Sequence, residues 1–465
     1  MKERILFLTG RLAESRLEKV LRGMEPTPFD GSIFNVGVKV AALMTEPILM
    51  RRLPRPINAD RVIVPGRCRA DLARLAQEFG VPFERGPDEL KDLPGFFGKA
   101  GARLDLSRHA LTIFAEIVEA SQMSLEAILA RAERLRGEGA DVIDLGCLPD
   151  TPFPHLEEAV REMKARGFAV SVDSAEPDEL RRGGAAGADY LLSLTEHNLV
   201  IAEETGARPV LIPAQHGDLA SLYRAAEQAE KRNLKAMLDP VIDPIHFGFA
   251  HSLSRYREVR ARLPKADMLM GTGNLTELTE ADSVGVTALL LGICSELAIA
   301  NVLAVHVSPH TRRTIQEHDA ARRIMYAAAA EASLPRGYGR ALVQIHDPAP
   351  FPYSGQEIAE AAAQVKDENY RIEAAQDGIH VYNRAGHFVA RDAFALFDKL
   401  GVEADGAHAF YLGAELMKAE IAFQLGKRYA QDEPLNWGCA TDRRAEDRTR
   451  LKEAGHTLRS RAANV

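Results

Sequence analysis

The residues of this chain best suited to chemistry are acids and amides that close short apolar runs. Asp173 ends Val170-Ser171-Val172-Asp173-Ser174, and Asp239 ends Met237-Leu238-Asp239-Pro240. Glu116 or Glu119, Asp144, Ser193 or Thr195, Gln215-His216, Thr272 to Asn274, and His306 stand at comparable positions in other runs. A carboxylate buried at a strand end is costly without a partner. A ligand edge with an N–H beside an amino group would satisfy it, because one carboxylate accepts from both, and each charge-assisted bond contributes roughly 1.5–3 kcal/mol. The pyrimidine edge of a pterin is such an edge. The plainer alternative is that Asp173 and Asp239 each cap a following helix.

Asp144, Asp173, Asp239 and His306 also form an oxygen and nitrogen set that could hold a metal ion. Metal-dependent hydrolases of barrel form bring several histidines together, whereas His216, His246, His306 and His310 are scattered along this sequence. No metal is therefore assigned, and His306, inside an apolar run, also reads as a satisfied core histidine. Gly271-Thr272-Gly273-Asn274 could cradle an anion or form a tight turn that aims Asn274 inward. Thr9-Gly10-Arg11 follows a strand but lacks a glycine-rich nucleotide fingerprint. No residue stands out as a nucleophile.

Eight apolar, β-branched-rich runs must position these groups: 111–118, 141–145, 169–172, 190–194, 209–213, 235–238, 267–270 and 301–307. Stretches between them are long enough for crossover helices, as in Leu125, Ile128, Leu129, Ala132 and Leu135 at helical spacing. Near-continuous apolar strands alternating with helices imply a parallel sheet buried on both faces. Eight units in about 230 residues imply a closed (β/α)₈ TIM barrel with its working groups at the carboxyl ends of the strands.

The expected organisation is a small α/β domain over residues 1–104, the barrel over 105–335, an α+β module over 336–440 and a charged tail over 441–465. In the first, 5–8 and 62–64 read as strands and 72–79 as a helix; 36–45 suits either state. In the module, Asn383-Arg384-Ala385-Gly386 between two apolar runs signals a hairpin, and a long helix follows from about Phe410 to Leu425. In that helix Ala414, Met417, Ile421 and Leu425 read as the apolar face, and Glu415, Lys418 and Glu420 as outer charges. The net charge of −8 argues against a nucleic-acid binder. The four cysteines, Cys68, Cys147, Cys294 and Cys439, are too dispersed for a zinc knuckle or disulfide framework, which suits a reducing cytoplasm. The most apolar segment, 284–307, carries Glu296, Asn301 and His306 and reads as a buried helix and strand rather than a membrane span.

Over residues 110 to 330 the strand ends resemble the pterin-binding superfamily that includes dihydropteroate synthase and the folate-dependent methyltransferases. Gly139-Ala140-Asp141-Val142-Ile143-Asp144-Leu145-Gly146 is similar to that family's second strand, Val170 to Ser174 to its third, and Leu238-Asp239-Pro240 to its sixth. The resemblance implies that Asp173 and Asp239 hold a reduced pterin. By the same resemblance Ser193 or its neighbour would stand where a pterin-contacting Asn is expected, and Asp144, Gln215 and His306 would complete the lining. It departs from the synthases where Gly273-Asn274-Leu275 replaces their Ser-Arg-Lys, where Leu148 to Pro152 replaces a Thr-Arg pair, and where Ala304 replaces an Arg. The groups expected to hold a pterin diphosphate are largely missing, and Asn274 is similar to the methyltransferases' pterin-contacting Asn.

The whole layout resembles dihydropteroate synthase-related proteins of methanogens and methylotrophic bacteria, associated with tetrahydromethanopterin-dependent one-carbon metabolism. Asp405 to Glu420 is also weakly similar to a corrinoid-binding methyltransferase subunit. The resemblance thus implies a pterin-binding transferase. A pterin-to-corrinoid methyl-transfer component and a pterin carrier or assembly protein without turnover stand as alternatives. A homodimer is the expectation by analogy.

Overall fold

The computed structural model describes residues 2–442 except 39–40, 42–43, 88–89 and 99–104; part of the 36–45 segment and all but the first two residues of the charged tail lie outside the described residues. The chain divides into two units, 1–108 with 326–338, and 109–325 with 339–465.

In the first unit, strands β1 (Glu3–Thr9), β2 (Phe29–Asn35), β3 (Arg61–Val64) and β4 (Phe83–Arg85) form a parallel sheet in the order β2-β1-β3-β4. Ile5, Phe7, Leu8, Val62, Ile63 and Val64 are buried, so β1 and β3 form its covered centre. The helix Leu72–Phe79 lies where its spacing predicts, capped by Asp71 and closed by Gly80 in the left-handed conformation. Strands β2 and β4 are not evident in the sequence. They occupy the sheet edges, where Asp30, Gly31 and Ser32 can face water and the apolar signal is weak. Gly10 has a packing reason: a Cβ there would lie 2.9 Å from the Ala41 amide nitrogen and the Val38 carbonyl.

The second unit contains the expected barrel. Strands β5 (Thr112–Ile117), β6 (Val142–Gly146), β7 (Ala169–Asp173), β8 (Tyr190–Leu194), β9 (Arg208–Leu211), β10 (Met237–Leu238), β11 (Asp267–Gly271) and β12 (Asn301–Val305) close into a ring. Every pairing is parallel, including the closure of β12 onto β5. Side chains alternate across a strand, so each strand has one set facing the barrel axis. Phe114, Val142, Leu192, Val210, Met237 and Leu269, with Ala169 and Tyr190 partly buried, fill that interior; the Phe114 and Tyr190 rings meet edge-on at 5.0 Å. Two residues further along the same parity, β5 carries Glu116 and β6 carries Asp144, and Ala169 leads through Ser171 to Asp173 on β7. The inward face thus changes from apolar to acidic toward the carboxyl ends.

The outer strand faces pack on crossover helices. The first, Leu125–Glu138, buries Ile128, Leu129, Ala132 and Leu135, starts on Ser124, whose hydroxyl accepts from the Ala127 amide, and ends on Gly139. The apolar segment near residue 290 is the helix Ser283–Glu296 followed by β12, and no helix among the described residues is long and apolar enough to cross a membrane.

Residues 371–390 form an antiparallel sheet of β13 (Arg371–Ala375), β14 (Gly378–Asn383) and β15 (Gly386–Ala390), including the expected hairpin. The long helix spans Gly406–Leu425, starting earlier than expected because Asp405 accepts from the His408 amide. Its buried face is a correction to the sequence reading. Leu412, Glu415, Leu416, Ala419 and Ala422 are buried, whereas Ala414 and Met417 are exposed. Glu415 is not an outer charge. It accepts from the Tyr429 hydroxyl at 2.8 Å and the Asp432 amide at 3.3 Å, and pairs with Lys418. The helix is so rich in Ala, Gly and aromatic residues that apolar periodicity does not select a face, and satisfied polar partners do.

Candidate functional site

Asp173 lies at the carboxyl end of β7, half-buried, and accepts a 2.6 Å hydrogen bond from the Ser193 hydroxyl through Oδ1. Ser193 reaches it because the β8–β9 register shifts between Leu191 and Leu194, and because Ser193 takes a positive φ of 65°. A non-glycine residue in that region is uncommon, and such strain gathers at functional sites. Burial raises the Asp173 carboxyl above the usual range, against the lowering effect of the Ser193 bond.

Asp239 follows β10 and is buried. Its Oδ1 accepts from the Tyr256 hydroxyl at 2.5 Å and from the Val241 amide at 2.8 Å. Burial pushes its carboxyl up to about 6, opposed by these two bonds. Val241 also has a positive φ, 60°, unusual for a β-branched side chain. Arg255 fixes that turn. It is buried and donates to the carbonyls of Pro240 at 3.1 Å and Val241 at 2.5 Å and to Asp243 Oδ2 at 2.9 Å. Both Asp173 and Asp239 therefore have one oxygen oriented by protein donors, leaving the other outside those bonds. The capping alternative fails for both. The helix after β7, Pro177–Ala185, has Glu176 at its N-cap, and the helix after β10 begins only at Phe249.

Asn274 belongs to a short helical turn, Gly273–Thr276, after β11. It is exposed, and its Nδ2 donates to the Ile242 carbonyl at 2.7 Å, linking the loops after β11 and β10. A Cβ on Gly273 would collide with Val305 Cγ1 at 2.4 Å, which explains the glycine by close packing on β12. Thr272 beneath it meets the buried His318 Nε2 at 3.0 Å. Burial pushes His318 down to about 4, so it is neutral near pH 7.

The remaining candidates divide. Asp144 is completely buried and accepts from the Ser171 hydroxyl at 2.5 Å, and it groups with Glu116 and Asp173. His306 is engaged by Arg131, whose guanidinium donates to its Nδ1 at 3.0 Å; burial, then the Arg131 charge, lowers its pKa. Gln215 is exposed, in the loop after β9. The metal-ligating set weighed from the sequence thus differs from the observed grouping, in which Glu116 takes the place of Asp239 and His306.

Sequence reasoning missed Tyr256 and Arg255. Their signal lies in the helix Phe249–Arg262, where Ser252, Arg255, Tyr256 and Val259 share one face and are buried. A polar group on the apolar stripe of a helix is a reason to look for a site beneath it. A groove of about 1040 Å³ lies elsewhere, between the helices Leu219–Lys231 and Phe249–Arg262 and lined in part by Arg208, Leu238 and Asp267. It holds none of these strand-end groups.

Residues 3–88 match DUF6513, a family of unknown function. The uncharacterized protein MJ0107 of Methanocaldococcus jannaschii is 24% identical over 523 residues, covering 92% of this chain and 98% of its own. Similar solved structures include the Yersinia pestis dihydropteroate synthase with a pterine-sulfa conjugate, 18% identical, covering 49% of this chain and 96% of that one at a TM-score of 0.38. The Xanthomonas albilineans dihydropteroate synthase in complex with 7,8-dihydropteroate is 22% identical, covering 49% and 94%, at a TM-score of 0.35. The closed parallel ring of β5 to β12 establishes the barrel independently of these likenesses.

Proposed function

We propose that the carboxyl-end face of the barrel binds a reduced pterin and that the protein is a transferase acting on it. The observation that carries this reading is the pair of strand-end carboxylates, Asp173 and Asp239, each with one oxygen held by protein donors. A carboxylate fixed in this way is oriented before a ligand arrives, and its second oxygen can accept from a ring N–H or an amino group. Asp173 and Asp239 would hold the pterin edge, with Ser193 fixing Asp173 and Asn274 bordering the loops. Asp144, Gln215 and His306 are lesser candidates. Asp144 lies deeper, Gln215 is exposed, and His306 is tied to Arg131.

No nucleophile is needed for substitution at an activated pterin methylene, where positioning and electrostatics suffice. The sequence resemblance supports tetrahydromethanopterin-linked one-carbon metabolism as the setting; the dispersed cysteines suit a reducing cytoplasm, and a homodimer is proposed by analogy with such barrels. A pterin-to-corrinoid methyl-transfer component is a second reading, favoured by Asn274 in the loop after β11.

Titration of a reduced pterin, followed by its own fluorescence in the presence of a chelator, tests the proposal. Saturable binding by the natural protein and none by the Asp173→Asn/Asp239→Asn double variant is the expected result. Unchanged binding by a folded double variant would refute it.

A further inference from the structure

In the sheet of residues 371–390, β13 is an edge strand, joined to β14 on one side only. The turn between them has two residues, Gln376 and Asp377, and Ala375 pairs with Gly378 across it. A two-residue hairpin closes on a bonded pair, and bonded pairs alternate along an antiparallel ladder. Arg371, Glu373 and Ala375 therefore bond to β14, while Ile372 and Ala374 direct their amides and carbonyls away from it. The side chain of Gln431 agrees with that direction. Its Oε1 accepts from the Ile372 amide at 2.9 Å and its Nε2 donates to the Tyr370 carbonyl at 3.1 Å, as a residue of a neighbouring strand would. The contact supplies one rung and goes no further. Ala374 is buried, and among the described residues nothing pairs with its amide. Buried amides without a partner are rare, so an open one on a strand edge marks a place for an added strand.

Two further observations give that place shape and charge. A cavity of about 280 Å³ is bounded by Ile372 to Ala374 of this edge and by the segment 428–431, with Tyr353 and Tyr382 also in its lining. Arg428 lines it too and is exposed. Arg371 is paired with Asp367 at 2.8 Å, and Glu373 takes the Tyr382 hydroxyl at 2.6 Å. Among the described residues no carboxylate lies within ion-pair distance of the Arg428 guanidinium. We infer that the open edge of β13 takes up an extended acidic peptide of a partner protein, which adds a strand outside β13 and sets a carboxylate on Arg428. Main-chain bonds to the Ala374 amide and the Ile372 carbonyl give such a complex its affinity, and the cavity and the unpaired guanidinium give it selectivity. The inference shares no residue with the barrel site and does not rest on the pterin reading.

The test pans full-length protein against random heptapeptides displayed on phage. The most enriched sequence is then synthesised with a fluorescent label and titrated by anisotropy. Enriched peptides should carry Asp or Glu, and the labelled one should bind saturably to the natural protein and at least tenfold more weakly to Ala374→Pro and Arg428→Glu. Proline is tolerated on an edge strand where the N–H faces outward, so Ala374→Pro removes the donor and keeps the ladder to β14. Arg428 is exposed, so Arg428→Glu decides the matter if Ala374→Pro does not fold. No enrichment of acidic peptides over a protein-free surface, or unchanged affinity in folded Arg428→Glu, would overturn the inference. A chain that dimerises in solution and that Ala374→Pro returns to monomer would place a second copy on the edge and overturn the peptide assignment as well.

Discussion

At the scale of single residues, the site depends on how each acid is held. Asp239 is the clearest case, because burial pushes its carboxyl up to about 6 while Tyr256 and Val241 stabilise its charge. A ligand that donates two hydrogens needs the ionised form, so pterin affinity should fall as pH drops through about 6. Tyr256→Phe removes a donor to the carboxylate. It should weaken binding at neutral pH by roughly tenfold and move the midpoint of the pH profile upward. Calorimetric affinities between pH 5 and 8 would show this, and a midpoint that stays put would mean Tyr256 does not set the charge on Asp239. Arg255 has a structural role beneath the same turn. Arg255→Ala leaves buried Asp243 and two carbonyls without their donor and should cost about 3–5 kcal/mol in denaturant unfolding. Much of this was legible in the sequence. Asp173, Asp239 and Asp144 are acids in or just after apolar runs; Asp173 closes β7 and Asp239 follows β10, while Asp144 lies in the middle of β6. The bulge that turns Ser193 toward Asp173 was not legible, because a register shift depends on how β8 and β9 twist together and leaves no mark in Leu192-Ser193-Leu194.

At the scale of elements, the helices hold the loops that hold the acids. The helix Thr314–Ala330 carries His318, which is neutral, buried and bonded to Thr272 under the loop of Asn274. Its folded value is about 4 and its ordinary value 6.5. Below pH 6.5 the unfolded chain takes up a proton that the folded chain refuses, so the unfolded state binds more protons and stability is lost as pH falls toward 4. Each unit of pH in that window removes up to about 1.4 kcal/mol through this group. The difference in unfolding free energy between the natural protein and His318→Gln should therefore shrink as pH falls from 6.5 to 4; a constant difference would exclude the linkage. Glu415 illustrates the same dependence in the long helix Gly406–Leu425. Its burial is invisible to periodicity because the helix is apolar on most sides, and it becomes intelligible only through Tyr429 and Asp432. Glu415→Ala leaves both donors unmet and should cost about 2–4 kcal/mol, measurable by urea unfolding, whereas exchange of an outer-face charge would change stability by under about 0.5 kcal/mol.

At the scale of the whole molecule, the closed ring follows from a simple pattern. Eight apolar runs separated by helix-length stretches leave a parallel strand no exposed face, and closure removes both sheet edges. The strands are short, two residues in β10, yet each was placed in the sequence because burial on both faces makes it mostly apolar, with the polar residues gathered toward the carboxyl ends of several. The edge strands β2 and β4 escaped for the opposite reason, since half of each faces away from a core. Within the ring, one inward parity supplies both the apolar filling around Phe114 and Val142 and the acids above it, so the position of the site is set by the barrel's own alternation. What the barrel does not determine is which ligand the acids accept, and the chemistry of the ligand edge decides that.

The most direct test crosses protein variants with ligand variants. Calorimetric titration would compare a pterin with the matching lumazine, in which a carbonyl replaces the amino group, on the natural protein, Asp173→Asn and Asp239→Asn. Two carboxylates that hold the amino edge should make pterin bind at least tenfold more tightly than lumazine, about 1.4 kcal/mol. At least one of the Asn variants should erase that preference. Equal affinity for the two ligands on the natural protein, or a preference that survives both substitutions, would contradict the assignment of Asp173 and Asp239 as the pterin-holding pair.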